Sequence, residues 1–186
     1  MSIKIQFEGF RNSISEYFRN YGGWSELLSS PLLWIALAIS TVSYRNWLEP
    51  NWLEVSQELI PSLLGFSLGT YAILVSLLTG RLKRALREVK NGRGVSYLAD
   101  INSNFFHFIF VQVSALAWGF LFDGSWAYDA ATFLKIYYSR SMDVFEAVRT
   151  IGSFFGHFLL VYSFLLILAA ALQVYRLVLI NDLGGD

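Results

Sequence analysis

Four long stretches without any charged residue dominate this chain and limit how it can fold. They cover residues 27–44, 59–80, 101–122 and 150–175, with lengths of 18, 22, 22 and 26 residues. A helix needs about 20 predominantly apolar residues to cross the hydrocarbon core of a bilayer. Charged residues make up only 15% of the chain, against about 25% in a typical soluble domain. The pattern predicts an all-α, polytopic membrane protein with four transmembrane helices.

These helices leave too few residues for a separate soluble domain, so we expect one transmembrane domain over residues 1–186. The expected spans are, approximately, residues 27–47, 59–80, 102–122 and 150–175. In residues 1–22, apolar side chains recur at helical spacing between charged ones. That pattern is typical of an amphipathic helix lying in the membrane interface.

The distribution of Lys and Arg predicts the orientation. If both termini are cytoplasmic, 10 basic residues lie inside, most of them in a basic loop at 81–100, and 4 lie outside. This asymmetry follows the positive-inside rule. Residues 123–149 then form an outer loop, and Trp47, Trp52 and Trp126 are expected in the outer aromatic belt.

Small residues line one face of the second span. They fall at Ser62, Gly65, Gly69, Ala72 and Ser76, a helical spacing that lets another backbone approach closely. The face could be an interface between protomers, the lining of a narrow path, or ordinary packing within one bundle. A second Gly-x-x-x-Gly, at Gly152 and Gly156, favours a homo-oligomer, and among oligomers we favour a tetramer.

Basic residues follow the second span directly, with apolar residues between them, and this predicts that the span continues as a basic amphipathic helix. They are Arg81, Lys83, Arg84, Arg87, Lys90 and Arg93. The first interpretation is that these basic residues contact anionic lipid headgroups. The alternative is an acidic cytoplasmic protein partner. Six charges without a stacking platform do not predict direct nucleic-acid binding.

Among the polar residues inside the uncharged stretches, four are candidates for a functional role. His107 and His157 should lie in opposite leaflets, so each is expected to bond to a neighbouring helix rather than share a metal; a ring of histidines in an oligomer is the alternative. Gln112 and Ser114 could join two helices by hydrogen bonds or, with His107, line a polar pathway. Hydrogen bonding between helices is the favoured interpretation.

Motifs for enzymatic chemistry are absent from the sequence. It contains no cysteine, no glycine-rich phosphate loop and no His-Glu-x-x-His pair. We therefore expect no catalytic residues, no metal, no cofactor and no enzymatic activity.

Residues 60–78, which include PSLLGFSLGTYAILVSL and precede the basic segment, resemble small four-span bacterial inner-membrane proteins. The pattern looks like the membrane components of anti-phage defence systems, such as Kiwa-type pairs or nucleotidyltransferase-linked membrane effectors. The resemblance implies a location in the bacterial inner membrane. It also implies a sensor or scaffold that couples membrane perturbation to a cytoplasmic partner or, alternatively, a gated channel that depolarises the cell.

Overall fold

The computed structural model describes residues 3–78, 80–135, 138 and 140–182. Within this part of the chain the architecture is all-helical, apart from turns and an isolated bridge between Lys90 and Ser96. The helices are α1 (Ile3–Tyr21), α2 (Gly23–Ser29), α3 (Pro31–Val42), α4 (Tyr44–Leu48), α5 (Trp52–Leu77), α6 (Gly80–Glu88), α7 (Tyr97–Asp123), α8 (Trp126–Leu134) and α9 (Ser141–Asp182).

Three of these helices, α5, α7 and α9, are long and apolar enough to cross a membrane. Each begins several residues before the uncharged stretch that predicted it, because a helix continues past the hydrocarbon core into charged sequence. The 42 residues of α9 extend about 63 Å at 1.5 Å per residue. That is roughly twice the thickness of the hydrocarbon core.

The first expected span is not one straight helix. Helices α2 and α3 meet at an angle of 57°, at Ser30, whose backbone is extended (φ −67°, ψ 119°). Pro31 begins α3, and because proline disfavours a helical conformation in the residue before it, the bend falls there. A continuous helix over 27–47 is therefore wrong, and the chain has a fourth crossing only if α2 and α3 together form one broken span.

The hydrophobic core lies among the three long helices, where α7 packs against both α5 and α9, and α5 also packs against α9. Helices α3 and α4 pack on α9 from the other side. Phe105, Ile60 and Ala170 are completely buried there. Helix α9 is thus the common partner of nearly every other membrane-embedded element.

The basic helix α6 is separate from α5. Leu78 leaves the helical conformation (φ −70°, ψ 87°), and α6 begins at Gly80. Leu86 of α6 is buried, and the helix packs against α7. The prediction that the second span continues without interruption into the basic segment is therefore wrong.

Helix α1 packs against α7 only through its C-terminal half. Tyr21 is buried and Tyr17 is half-buried, whereas Ile3, Phe7 and Phe10 at the other end are largely exposed. The contact between α1 and α7 contains a network of side-chain hydrogen bonds.

Candidate functional site

His107 of α7 lies between two tyrosine hydroxyls. Its Nδ1 is 2.7 Å from the Tyr17 hydroxyl of α1, and its Nε2 is 3.0 Å from the Tyr162 hydroxyl of α9. A neutral imidazole has one donor and one acceptor nitrogen, and a phenol can serve either, so both nitrogens are satisfied in either tautomer. The histidine therefore joins three helices.

Aromatic packing encloses this hydrogen-bonded group. The Tyr21 ring stacks on His107 with centroids 4.3 Å apart, and Tyr17 packs against Phe106 at 4.8 Å. Burial raises the pKa of Tyr17, and the neighbouring Tyr21 adds to the shift. Burial also raises the pKa of Tyr21. Both phenols therefore keep their protons at neutral pH and remain available as hydrogen-bond donors.

Arg93 binds the end of α1 to the start of α7. Its Nη1 donates to the Tyr21 carbonyl oxygen at 2.5 Å, and its Nη2 donates to Asp100 Oδ1 at 2.5 Å. Glu26 Oε2 of α2 lies 3.2 Å from Nη1. One guanidinium thus connects α1, α2 and α7 through charge-assisted bonds, which are stronger than neutral ones.

The turns around Arg93 position its side chain. The Asn91 side chain accepts from the backbone N–H groups of Arg93 and Val95, which shapes the tight loop before α7. Gly22, which directly follows Tyr21, has φ 108°. A side chain at this position would overlap the Arg93 guanidinium. Glycine is therefore needed at this position for both its backbone angle and its lack of a side chain.

A second polar cluster ties α9 to α3 and α4. His157 Nε2 is 2.8 Å from Ser43 Oγ, and Ser153 Oγ accepts from Trp52 Nε1 at 2.7 Å while donating to the Trp47 carbonyl at 2.6 Å. The two histidines have separate partners, and Ser43 lies in the turn between α3 and α4. Trp52 is only 2% exposed, so its ring packs inside the bundle.

The second glycine pair packs inside the bundle. A Cβ on Gly156 would overlap the Trp52 ring, whereas one on Gly152 would lie 3.4 Å from Trp118. Gly156 therefore provides the space in which the largest buried side chain lies.

The small-residue face of α5 points away from the bundle. All five of its residues are exposed, namely Ser62, Gly65, Gly69, Ala72 and Ser76, and a Cβ added to either glycine would contact nothing within 4 Å. Between residues 60 and 76 of α5, the buried residues are Ile60, Leu63, Ser67 and Leu74. At 100° per residue, the two sets are centred roughly 170° apart. Packing within this single chain does not explain the face.

Gln112 and Ser114 do not line a common polar pathway. Gln112 is completely buried and its Nε2 donates to Ser67 Oγ at 3.0 Å, which links α7 to α5. Ser114 donates to the Phe110 carbonyl of its own helix. His107 has both ring nitrogens engaged as described above, so these three side chains act as separate local contacts.

The basic residues of the predicted cytoplasmic loop divide into two groups. All six are exposed, and five of them lie on or just after α6, namely Arg81, Lys83, Arg84, Arg87 and Lys90. The sixth, Arg93, holds the contact between α1 and α7. Sequence reasoning did not single out Glu26, Asp100 or Tyr162, because their partners are distant in the chain. The spacing of Tyr17 and Tyr21 on one face of α1 was the available signal.

Comparison of the chain with protein-family models, curated proteins and solved structures finds no match. Among the described residues, no group of three or more His, Asp or Glu side chains is placed to hold a metal ion.

Proposed function

We propose that this protein is a homo-oligomeric membrane sensor or scaffold without enzymatic activity. The observation that carries the proposal is the outward face of α5, which is lined with small residues and lies opposite the face that α5 buries in its own bundle. In lipid, helices associate where small residues allow their backbones to approach closely. The natural partner for a self-complementary face is the same face of a second copy.

Helix α6 supplies the second half of the proposal. Its exposed basic residues would face either anionic headgroups or an acidic cytoplasmic partner, while buried Leu86 keeps the helix on α7. The exposed apolar residues of α1 suit a helix lying in the membrane interface. A displacement of α1 would reach α7 and the basic loop through His107 and Arg93.

The resemblance to membrane components of bacterial anti-phage systems provides a setting for this proposal. In that setting, the protein would lie in the inner membrane with both termini cytoplasmic and would signal membrane perturbation to a cytoplasmic protein.

The basic helix can be tested separately from the oligomer. Arg84→Gln combined with Arg87→Gln should weaken co-purification of the cytoplasmic proteins that the wild-type chain retains, while the oligomer mass in detergent stays unchanged. Arg149→Gln, at the other end of the bundle, is the matched control. Full co-purification by the double variant would contradict a partner role for α6.

A gated channel is the second candidate. It is favoured by the hydroxyls of Ser62 and Ser76, which lie on the outward face that an oligomer would enclose. Recording from purified protein in planar bilayers separates the two candidates. Conductance that Gly69→Leu abolishes while the oligomer persists would favour the channel, and silence with loss of the oligomer would favour the scaffold.

A further inference from the structure

A cavity of about 370 Å³ opens between the α2–α3 bend and the C-terminal part of α9. Phe108 and Leu166 are buried and form its apolar floor. Polar and charged residues form its rim: Glu26, Ser29, Ser30, Asn104, Gln173 and Arg176. An apolar floor with a charged rim suits an amphiphilic ligand more than a water-soluble one.

Two groups on the rim lack partners among the described residues. The Gln173 Oε1 atom is buried and receives no hydrogen bond. The Arg176 guanidinium belongs to neither of the ion pairs found in that part of the chain, both of which involve Arg93. Residues three apart share one helix face. The Gln173 oxygen, which lacks a donor, therefore lies beside the Arg176 guanidinium, which lacks an anion.

Glu26 adds a negative charge to the same rim. It is bound to Arg93 through Oε2 only, and half of its side chain remains exposed. Because Arg93 is shared with Asp100, this cluster of two carboxylates and one guanidinium has a net negative charge. The rim therefore offers separate negative and positive positions to one ligand.

We propose that this cavity binds the phosphoethanolamine headgroup of a phosphatidylethanolamine molecule. The ammonium group donates to Gln173 Oε1 and to the Glu26 carboxylate, and the phosphate accepts from Arg176. The glycerol and first acyl carbons lie on Phe108 and Leu166. This binding does not depend on self-association through α5.

The headgroup chemistry makes the proposal selective. Phosphatidylcholine carries the same charges but its quaternary ammonium has no N–H to give Gln173. Phosphatidylglycerol has the phosphate but no cation for Glu26. Delipidated protein in detergent should therefore retain phosphatidylethanolamine about tenfold more tightly than either lipid with the same acyl chains, as measured by native mass spectrometry. Equal retention of the three lipids would overturn the proposal.

Free phosphoethanolamine separates a lipid site from a soluble-ligand site. Because the apolar floor contributes only to lipid binding, millimolar phosphoethanolamine should displace little of the bound lipid. Complete displacement at concentrations equal to the lipid would overturn the lipid assignment.

Four variants test the named contacts. Gln173→Leu should remove the preference for phosphatidylethanolamine over phosphatidylcholine but keep phosphatidylglycerol binding, and Arg176→Gln should weaken phosphatidylethanolamine and phosphatidylglycerol about tenfold. Gln173→Glu should increase the preference for phosphatidylethanolamine, a gain that misfolding cannot produce. Arg149→Gln, on the same helix and lining another cavity, should change neither. Unchanged selectivity in both Gln173 variants, or equal losses in the two arginine variants, would overturn the site.

Discussion

Gly156 illustrates at the residue scale how one missing side chain decides the packing of a helix. Its surface is occupied by the Trp52 ring, which is anchored by a hydrogen bond to Ser153. A Cβ added at Gly152, one turn earlier, would lie 3.4 Å from Trp118, which is close to an ordinary contact distance. The two glycines form one sequence motif, but only one of them is sterically required.

Gly156→Ala should therefore destabilise the protein by about 1–3 kcal/mol, the usual result of overpacking a filled core. The expected decrease in the unfolding midpoint is about 2–4 °C per kcal/mol, measured by tryptophan fluorescence in detergent. Gly152→Ala is the matched control and should change the midpoint much less. Equal midpoints for the two variants would contradict the packing described for Trp52.

Arg93 is the residue on which docking of α1 most depends. Arg93→Gln removes charge-assisted bonds to Tyr21, Glu26 and Asp100, which should weaken docking by about 2 kcal/mol. Amide hydrogen exchange in the C-terminal half of α1 should accelerate roughly 30-fold. Arg84→Gln, in the same basic segment but on the exposed side of α6, should leave that exchange unchanged. Similar acceleration in both variants would point to a general charge effect.

The buried tyrosines give the docking of α1 a specific pH dependence. Their raised pKa means that the folded protein holds each phenolic proton more tightly than the unfolded chain does. Docking stability is therefore fully present below the unfolded pKa, about 10, and is lost as pH rises above it. Protection of α1 from hydrogen exchange should stay constant from about pH 7.5 to 9, below the unfolded pKa of tyrosine, after correction for intrinsic rates. A loss of protection within that range would contradict this account.

At the scale of the elements, α5 has two faces with different roles. One face packs on α7 and α9, and the opposite face carries the small residues exposed to the surroundings. Only 22% of its most apolar window is buried, compared with 39% for α7. The helix is therefore the most peripheral of the three long spans and the one best placed for contact with another chain.

Gly69→Leu should disrupt the oligomer without unfolding the monomer, because Gly69 is exposed and a Cβ added there meets no atom of its own chain within 4 Å. Oligomer mass in detergent, measured by light scattering, should decrease while the unfolding midpoint stays within about 2 °C, as expected for a surface substitution. Val75→Leu adds bulk on an exposed part of α5 outside the small-residue face and serves as the control. An unchanged mass for Gly69→Leu would remove the support for assembly through this face.

At the scale of the whole molecule, helices α2 and α3 determine whether the chain crosses the membrane three or four times. Helix α3 has 12 residues, about 18 Å long, which is too short to cross a hydrocarbon core of about 30 Å without α2. Because the sequence lacks cysteine, single cysteines can report the side of each loop.

We expect Asn46→Cys and Ser125→Cys to react with an impermeant maleimide added to intact cells. Ser13→Cys and Gly92→Cys should react only after permeabilisation, because the proposed topology places them inside. Wild-type protein is the unreactive control. Labelling of Asn46→Cys on the same side as Ser13→Cys would show that α2 and α3 form a re-entrant segment.

The all-helical, membrane-spanning character of the chain follows from local composition. Runs of apolar residues without charges predict α5, α7 and α9, since a helix satisfies its own backbone hydrogen bonds within the bilayer. The small residues of α5 are likewise recognisable from spacing alone. Helix ends were predicted less well, because charged residues extend α7 and α9 beyond the apolar stretches and Leu78 interrupts the path to α6.

Which faces and residues meet was decided only by packing between distant segments. Tyr17 and His107 are 90 residues apart, and Trp52 and Ser153 are 101 apart. Periodicity places a residue on a face but does not select the partner of that face. The inward side of α5, the burial of Trp52 and the assignment of Arg93 to an internal contact therefore required the assembled bundle, in which volume and charge must be satisfied together.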